Sequence, residues 1–72
     1  MKKIKKIKIT VNGRLKSISE NQSLFDLIIK LKIPIKKVAI ELNRKIIDKK
    51  SISKISLKKN DIIEIVHFIG GG

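Results

Sequence analysis

Ile7-Lys8-Ile9-Thr10-Val11-Asn12-Gly13 carries two structural signals in succession. Ile7, Ile9 and Val11 alternate with Lys8 and Thr10, the period-two pattern of a strand with one buried face. Asn12-Gly13 then supplies the residue types that most readily take the positive φ angles of a type I′ hairpin turn. The chain is expected to fold back here, with a second strand from about Arg14 to Ile18 pairing antiparallel with the first. A half-buried hairpin needs a cover for its apolar face, and the segment that follows can supply one.

Ser23 has a hydroxyl that can cap free backbone amides, and Asp26 three residues on completes a capping-box pair. Leu24, Leu27, Ile28 and Leu31 recur at helical spacing, so one helix of two to three turns is expected with a single apolar stripe. Pro34 cannot continue it and biases the residue before it out of the helical region, so Ile33 marks the stop. Val38 to Leu42 alternates again, with Val38, Ile40 and Leu42 on one side. Asn43-Arg44 reads as a tight turn into a short strand over Lys45 to Ile47. Asp48 to Lys59 is polar, with Ile52, Ile55 and Leu57 as its apolar anchors, and reads as a surface loop with one irregular turn. Asn60-Asp61 turns into Ile62 to Ile69, the most hydrophobic run and the expected central strand. The order of elements is an α+β plan, a sheet of four to five strands with one main helix packed on one face.

The chain has 72 residues, which leaves room for one compact domain and no second core. Its residues are 42% apolar and spread along the whole length, which favours folding over disorder. With no cysteine, it has no disulfide framework, no thiolate metal site and no cysteine nucleophile. A cytoplasmic location fits that composition. Met1-Lys2-Lys3 resembles the basic start of a secretion signal, but Lys5, Lys6 and Lys8 break the apolar run that should follow. No stretch approaches the roughly 20 apolar residues that span a bilayer, so no membrane partner is expected.

The formal charge of +12 is open to two readings. A basic surface attracts nucleic acid or other polyanions. Here, however, the lysines alternate with isoleucines instead of massing together, a bias that AT-rich coding also produces. Arg14 and Arg44 are the only arginines, and Phe25 and Phe68 the only aromatics for base stacking. No nucleic-acid partner is therefore expected, and a small basic nucleic-acid-binding module stands as the alternative of a different class.

Three of the four glycines close the chain as Gly70, Gly71 and Gly72. Glycine is a poor strand residue, so residues 1–69 are expected to form the domain and residues 70–72 a flexible tail. A frayed terminus or a cloning remnant accounts for such a run on composition alone. A functional reason also exists: a carboxylate that must reach a nucleotide inside another protein needs slender residues behind it, and glycine lets the backbone approach closely.

At this point the chain resembles a known family. Val11-Asn12-Gly13, the run Val38-Ala39-Ile40-Glu41-Leu42-Asn43-Arg44-Lys45-Ile46-Ile47, and the end His67-Phe68-Ile69-Gly70-Gly71-Gly72 are together similar to the sulfur carriers of thiamine–thiazole biosynthesis, the ThiS family. That family lies in the ubiquitin-like β-grasp superfamily, and the resemblance spans essentially the whole chain. It implies a β-grasp fold and a protein co-substrate, not an enzyme. A ThiF-like activating enzyme would use ATP to adenylate Gly72, sulfur from a persulfide donor would replace AMP, and the thiocarboxylate would pass sulfur to a ThiG-like thiazole synthase. The chain itself would bind no cofactor and no metal.

By the same resemblance Gly72 carries the sulfur, and Gly70 and Gly71 enter the partners' active sites, with Gly70 an extra residue beyond the minimal pair. Carriers for other acceptors, the small subunit of molybdopterin synthase or a carrier for tRNA thiolation, differ only in the recipient. Superfamily analogy points Ile63 and Ile65 toward the helix, leaving Val66 and Phe68 on the open face as partner-binding residues. Local packing of Phe68 over the sheet edge is the other reading. His67 is the single histidine and has no obvious partners for catalysis or metal binding.

Overall fold

A computed structural model describes residues 5–68. Five strands run in the order β1 (Lys6–Val11), β2 (Arg14–Ser19), β3 (Val38–Leu42), β4 (Lys45–Ile46) and β5 (Ile62–His67), with α1 (Leu24–Lys30) between β2 and β3. They form one mixed sheet in the spatial order β2-β1-β5-β3-β4. β1 and β2 are an antiparallel hairpin closing at Val11↔Arg14. β5 lies between the two hairpins, parallel to β1 through Thr10↔Ile62 and antiparallel to β3 through Val38↔His67. With the helix on one face, this is the β-grasp arrangement.

The first hairpin turns as its dipeptide dictates, with φ of 49° at Asn12 and 81° at Gly13. The β3–β4 turn has the same handedness, at 52° for Asn43 and 71° for Arg44, although arginine bears a steric cost there that glycine does not. The inward residues of the strands meet the helix stripe in one core. Ile9, Val38, Ile40 and Ile63 are fully buried against Leu24, Leu27 and Ile28.

Both bonds of the capping box form at the start of α1. The Asp26 N–H donates to Ser23 Oγ and the Ser23 N–H to Asp26 Oδ2, each at 3.0 Å. The helix ends at Lys30, earlier than the proline rule alone places it. Lys32 takes a left-handed φ of 57°, its N–H donates to the Ile29 carbonyl, and the Ile33 N–H donates to the Ile28 carbonyl. This is a Schellman closure, so the backbone has already left the helix when Pro34 arrives.

Asp48 to Lys59 keeps the three apolar anchors expected of it but is more regular than a loop with one irregular turn. Asp48 Oδ1 accepts from the Lys50 N–H and opens a six-residue 3-10 helix, Lys49–Lys54. At three residues per turn, Ile52 and Ile55 fall on one side. Ile52 and Leu57 are each only 3% exposed and join the main core, with Ile55 packed against it. The Leu24 N–H donates to the Ile55 carbonyl and the Leu57 N–H to the Gln22 carbonyl, both at 2.8 Å, tying this segment to the helix start. β5 stops at His67, short of the predicted Ile69, which lies outside the described residues.

Candidate functional site

β5 runs up the middle of the sheet toward the glycine tail, and its two flanks are held differently. On the β3 side the pairing continues to His67, and the Phe68 N–H then donates to the Lys37 carbonyl at 2.9 Å. On the β1 side the register covers only Ile62 and Ile63, because β1 reaches its turn there. The Asn12 side chain continues the edge for one step, its Oδ1 accepting from the Ile65 N–H at 2.7 Å. Asn43 does the equivalent at the other end. Its Oδ1 accepts from the Ile62 N–H at 2.9 Å and its Nδ2 donates to Asp61 Oδ1 at 3.0 Å. Each hairpin turn thus lends an asparagine side chain to the central strand. The turns were legible in the sequence, but these bonds were not.

Ile63 and Ile65 face the helix and are buried, as the superfamily analogy required. Val66 lies on the opposite face and is 55% exposed, and Phe68 is 58% exposed. The pairings place further apolar side chains on this open face. Val66 sits opposite Ala39, and Glu41 sits opposite both Glu64 and Ile46. Thr10 lies between Leu15 and Ile62. Leu15, Ile46 and Ile62 are all exposed, and residue-by-residue reading missed them. The two-residue loops held the signal, since each fixes a register that turns Leu15 and Ile46 outward once Val11 and Leu42 turn inward.

Phe68 is exposed and also locally packed. Lys49 Nζ lies 5.1 Å from the ring centroid, so one face of the ring is covered by the protein's own cation while much of the side chain stays open. His67 pairs with Val38 at the end of β5 and is exposed. Among the described residues no three His, Cys, Asp or Glu side chains come together as a metal site. No helix among them is long and apolar enough to cross a membrane. Gly70, Gly71 and Gly72 lie outside the described residues.

Comparison with known proteins connects this fold to a chemistry. A family profile described as the ThiS family matches residues 9–72. The sulfur carrier protein ThiS of Bacillus subtilis is 35% identical over 65 residues, covering 89% of this chain and 98% of that protein. The thiazole synthase of Paramagnetospirillum magneticum is also 35% identical, over 66 residues. In that case 92% of this chain is covered but only 20% of the relative, so the chain spans about a fifth of that protein's length. The thiazole synthase of Magnetococcus marinus matches over the same share. Among solved structures, the crystal structure of a thiamine biosynthesis protein (ThiS) from Geobacter metallireducens superposes with a TM-score of 0.81 at 28% identity, covering 92% of this chain and all of that one. A profile that runs from the first strand through residue 72, together with a sheet of the same architecture, shows that the chain belongs to the ThiS family.

Proposed function

We propose that this chain carries sulfur on the carboxyl group of Gly72. In an activating enzyme of the ThiF type, a Gly72 carboxylate oxygen attacks the α-phosphorus of ATP and pyrophosphate leaves, giving an acyl adenylate. The outer sulfur of a persulfide donor then attacks the acyl carbon and AMP leaves with the bonding pair, giving an acyl disulfide. A second thiol attacks the donor's own sulfur, forms a disulfide with it and releases the thiocarboxylate. The resulting thiocarboxylate is passed to a thiazole synthase of the ThiG type. The chain is a protein co-substrate in this scheme, and the nucleotide and catalytic groups belong to its partners. Gly70 and Gly71 follow Gly72 into those sites, because side chains there would obstruct the approach of backbone to nucleotide.

The observation that carries this reading is the extent of the family match, which continues through Gly72 itself. Two further facts support it. A segment like this chain is part of two thiazole synthases, joined covalently to the protein proposed here as the sulfur acceptor's enzyme. The open face bearing Val66 and Phe68 offers exposed apolar area for docking, a few residues before Gly72 in sequence.

The test is intact mass after incubation with the activating enzyme, ATP and a sulfur donor. The chain is expected to gain the mass difference between sulfur and oxygen, and a chain lacking Gly72 is expected to stay unchanged. Sulfur transfer that persists without Gly72 would refute the reading. Reconstitution with thiazole synthase then identifies the recipient.

A further inference from the structure

Lys49 does more than cover an aromatic ring. Its Nζ donates a 3.0 Å hydrogen bond to the Ile35 carbonyl in a part-buried setting, while the same ammonium lies 5.1 Å from the centroid of Phe68. Its backbone is also fixed, because it opens the 3-10 helix that Asp48 caps. An unrestrained lysine samples many rotamers. This one is anchored at both ends of its side chain and lies over the ring of Phe68, the residue that follows β5.

The grip matters because Phe68 is held from one flank. Its N–H is bonded to the Lys37 carbonyl on the β3 side, whereas pairing of β5 with β1 ends at Ile63 and the Asn12 side chain reaches only Ile65. One backbone hydrogen bond leaves a strand end free to pivot, and a second contact on the ring restricts that pivot. We propose that Lys49 is a positioning residue for activation of this carrier: by holding Phe68 it fixes the end of β5 that is presented to the activating enzyme. The inference rests on the sulfur-carrier reading above.

A residue that preorganises the end of β5 for docking without touching the reacting atoms should change KM for the carrier and leave kcat alone. The test uses the full chain with its activating enzyme and ATP, following pyrophosphate release. Lys49→Met, which keeps the stem and loses the cation, is expected to raise KM about two- to fivefold, the range of an exposed cation–π contact. Lys49→Arg keeps a cation over the ring and is expected to restore the wild-type KM. Lys36→Met removes the same charge from an exposed neighbouring position and is expected to have little effect. Equal effects of Lys36→Met and Lys49→Met would assign the change to net charge and overturn the proposal. So would a loss confined to kcat.

A second measurement needs no partner. Amide exchange at Phe68 in the free chain should quicken in Lys49→Met while exchange at buried Ile40 stays constant. An unchanged Phe68 rate removes the positioning role even if the carrier is active. A wild-type chain that releases no pyrophosphate sinks the sulfur-carrier reading instead.

Discussion

Asn12 shows how much one side chain can carry that a dipeptide rule does not reveal. Its positive φ makes the turn, and its Oδ1 also satisfies a backbone N–H 53 residues away on β5. Asn12→Gly separates the two roles, since glycine keeps the left-handed turn and removes the acceptor. The Ile65 N–H is then left without its partner in a part-buried place, and stability is expected to fall by about 1–3 kcal/mol. The denaturation midpoint should drop, and Ile65 amide exchange should quicken more than that of Ile40. An unchanged midpoint would mean that the bond contributes nothing. The turn was readable because Asn-Gly acts through its own backbone. The bond to Ile65 was not, because nothing local says which strand will lie beside the loop.

At the scale of elements, the strands and the helix start followed from patterns that repeat within a few residues. Alternation gave Ile7 to Val11 and Val38 to Leu42, and Ser23 with Asp26 gave the cap. After Asp48 the anchors Ile52, Ile55 and Leu57 were legible but the 3-10 helix was not, because three apolar residues among lysines and serines have no period long enough to notice. Their burial comes from the space beside α1, which exists only once the sheet has formed. Ile52→Ala distinguishes a surface loop from part of the core. A surface change would stay within about 0.5 kcal/mol, whereas the buried position predicts a loss of about 2–4 kcal/mol, measured as a lower denaturant midpoint at constant slope. The total stability of so small a domain is roughly 4–11 kcal/mol, so a substantial share is at stake.

For the molecule as a whole, the charge of +12 is the property the fold does not explain. Several of the carboxylates already serve the backbone: Asp26 and Asp48 cap helices, and Asp61 accepts from the Lys58 N–H. A partner with an acidic surface would feel this field from a distance, so its association rate should fall tenfold or more, as an order of magnitude, between low and high salt. Stopped-flow mixing with the activating enzyme measures this, and a salt-independent rate would leave the lysines without a role in docking. The candidate site was legible in the sequence through the glycine run and the family likeness. The exposure of Leu15, Ile46 and Ile62 on the open face was not read, because it follows from hairpin register and not from any one residue.

The insertion of β5 between the two hairpins also orders events in time. β5 emerges from the ribosome after both hairpins it joins, and until it does so the earlier strands have no common neighbour to complete the sheet. A chain that stops before β5 would leave the two hairpins without a shared strand, and Ile9, Val38 and Ile40 without Ile63 and Ile65 in their core. Loss of β5 is therefore expected to abolish the whole sheet and not merely trim one edge of it.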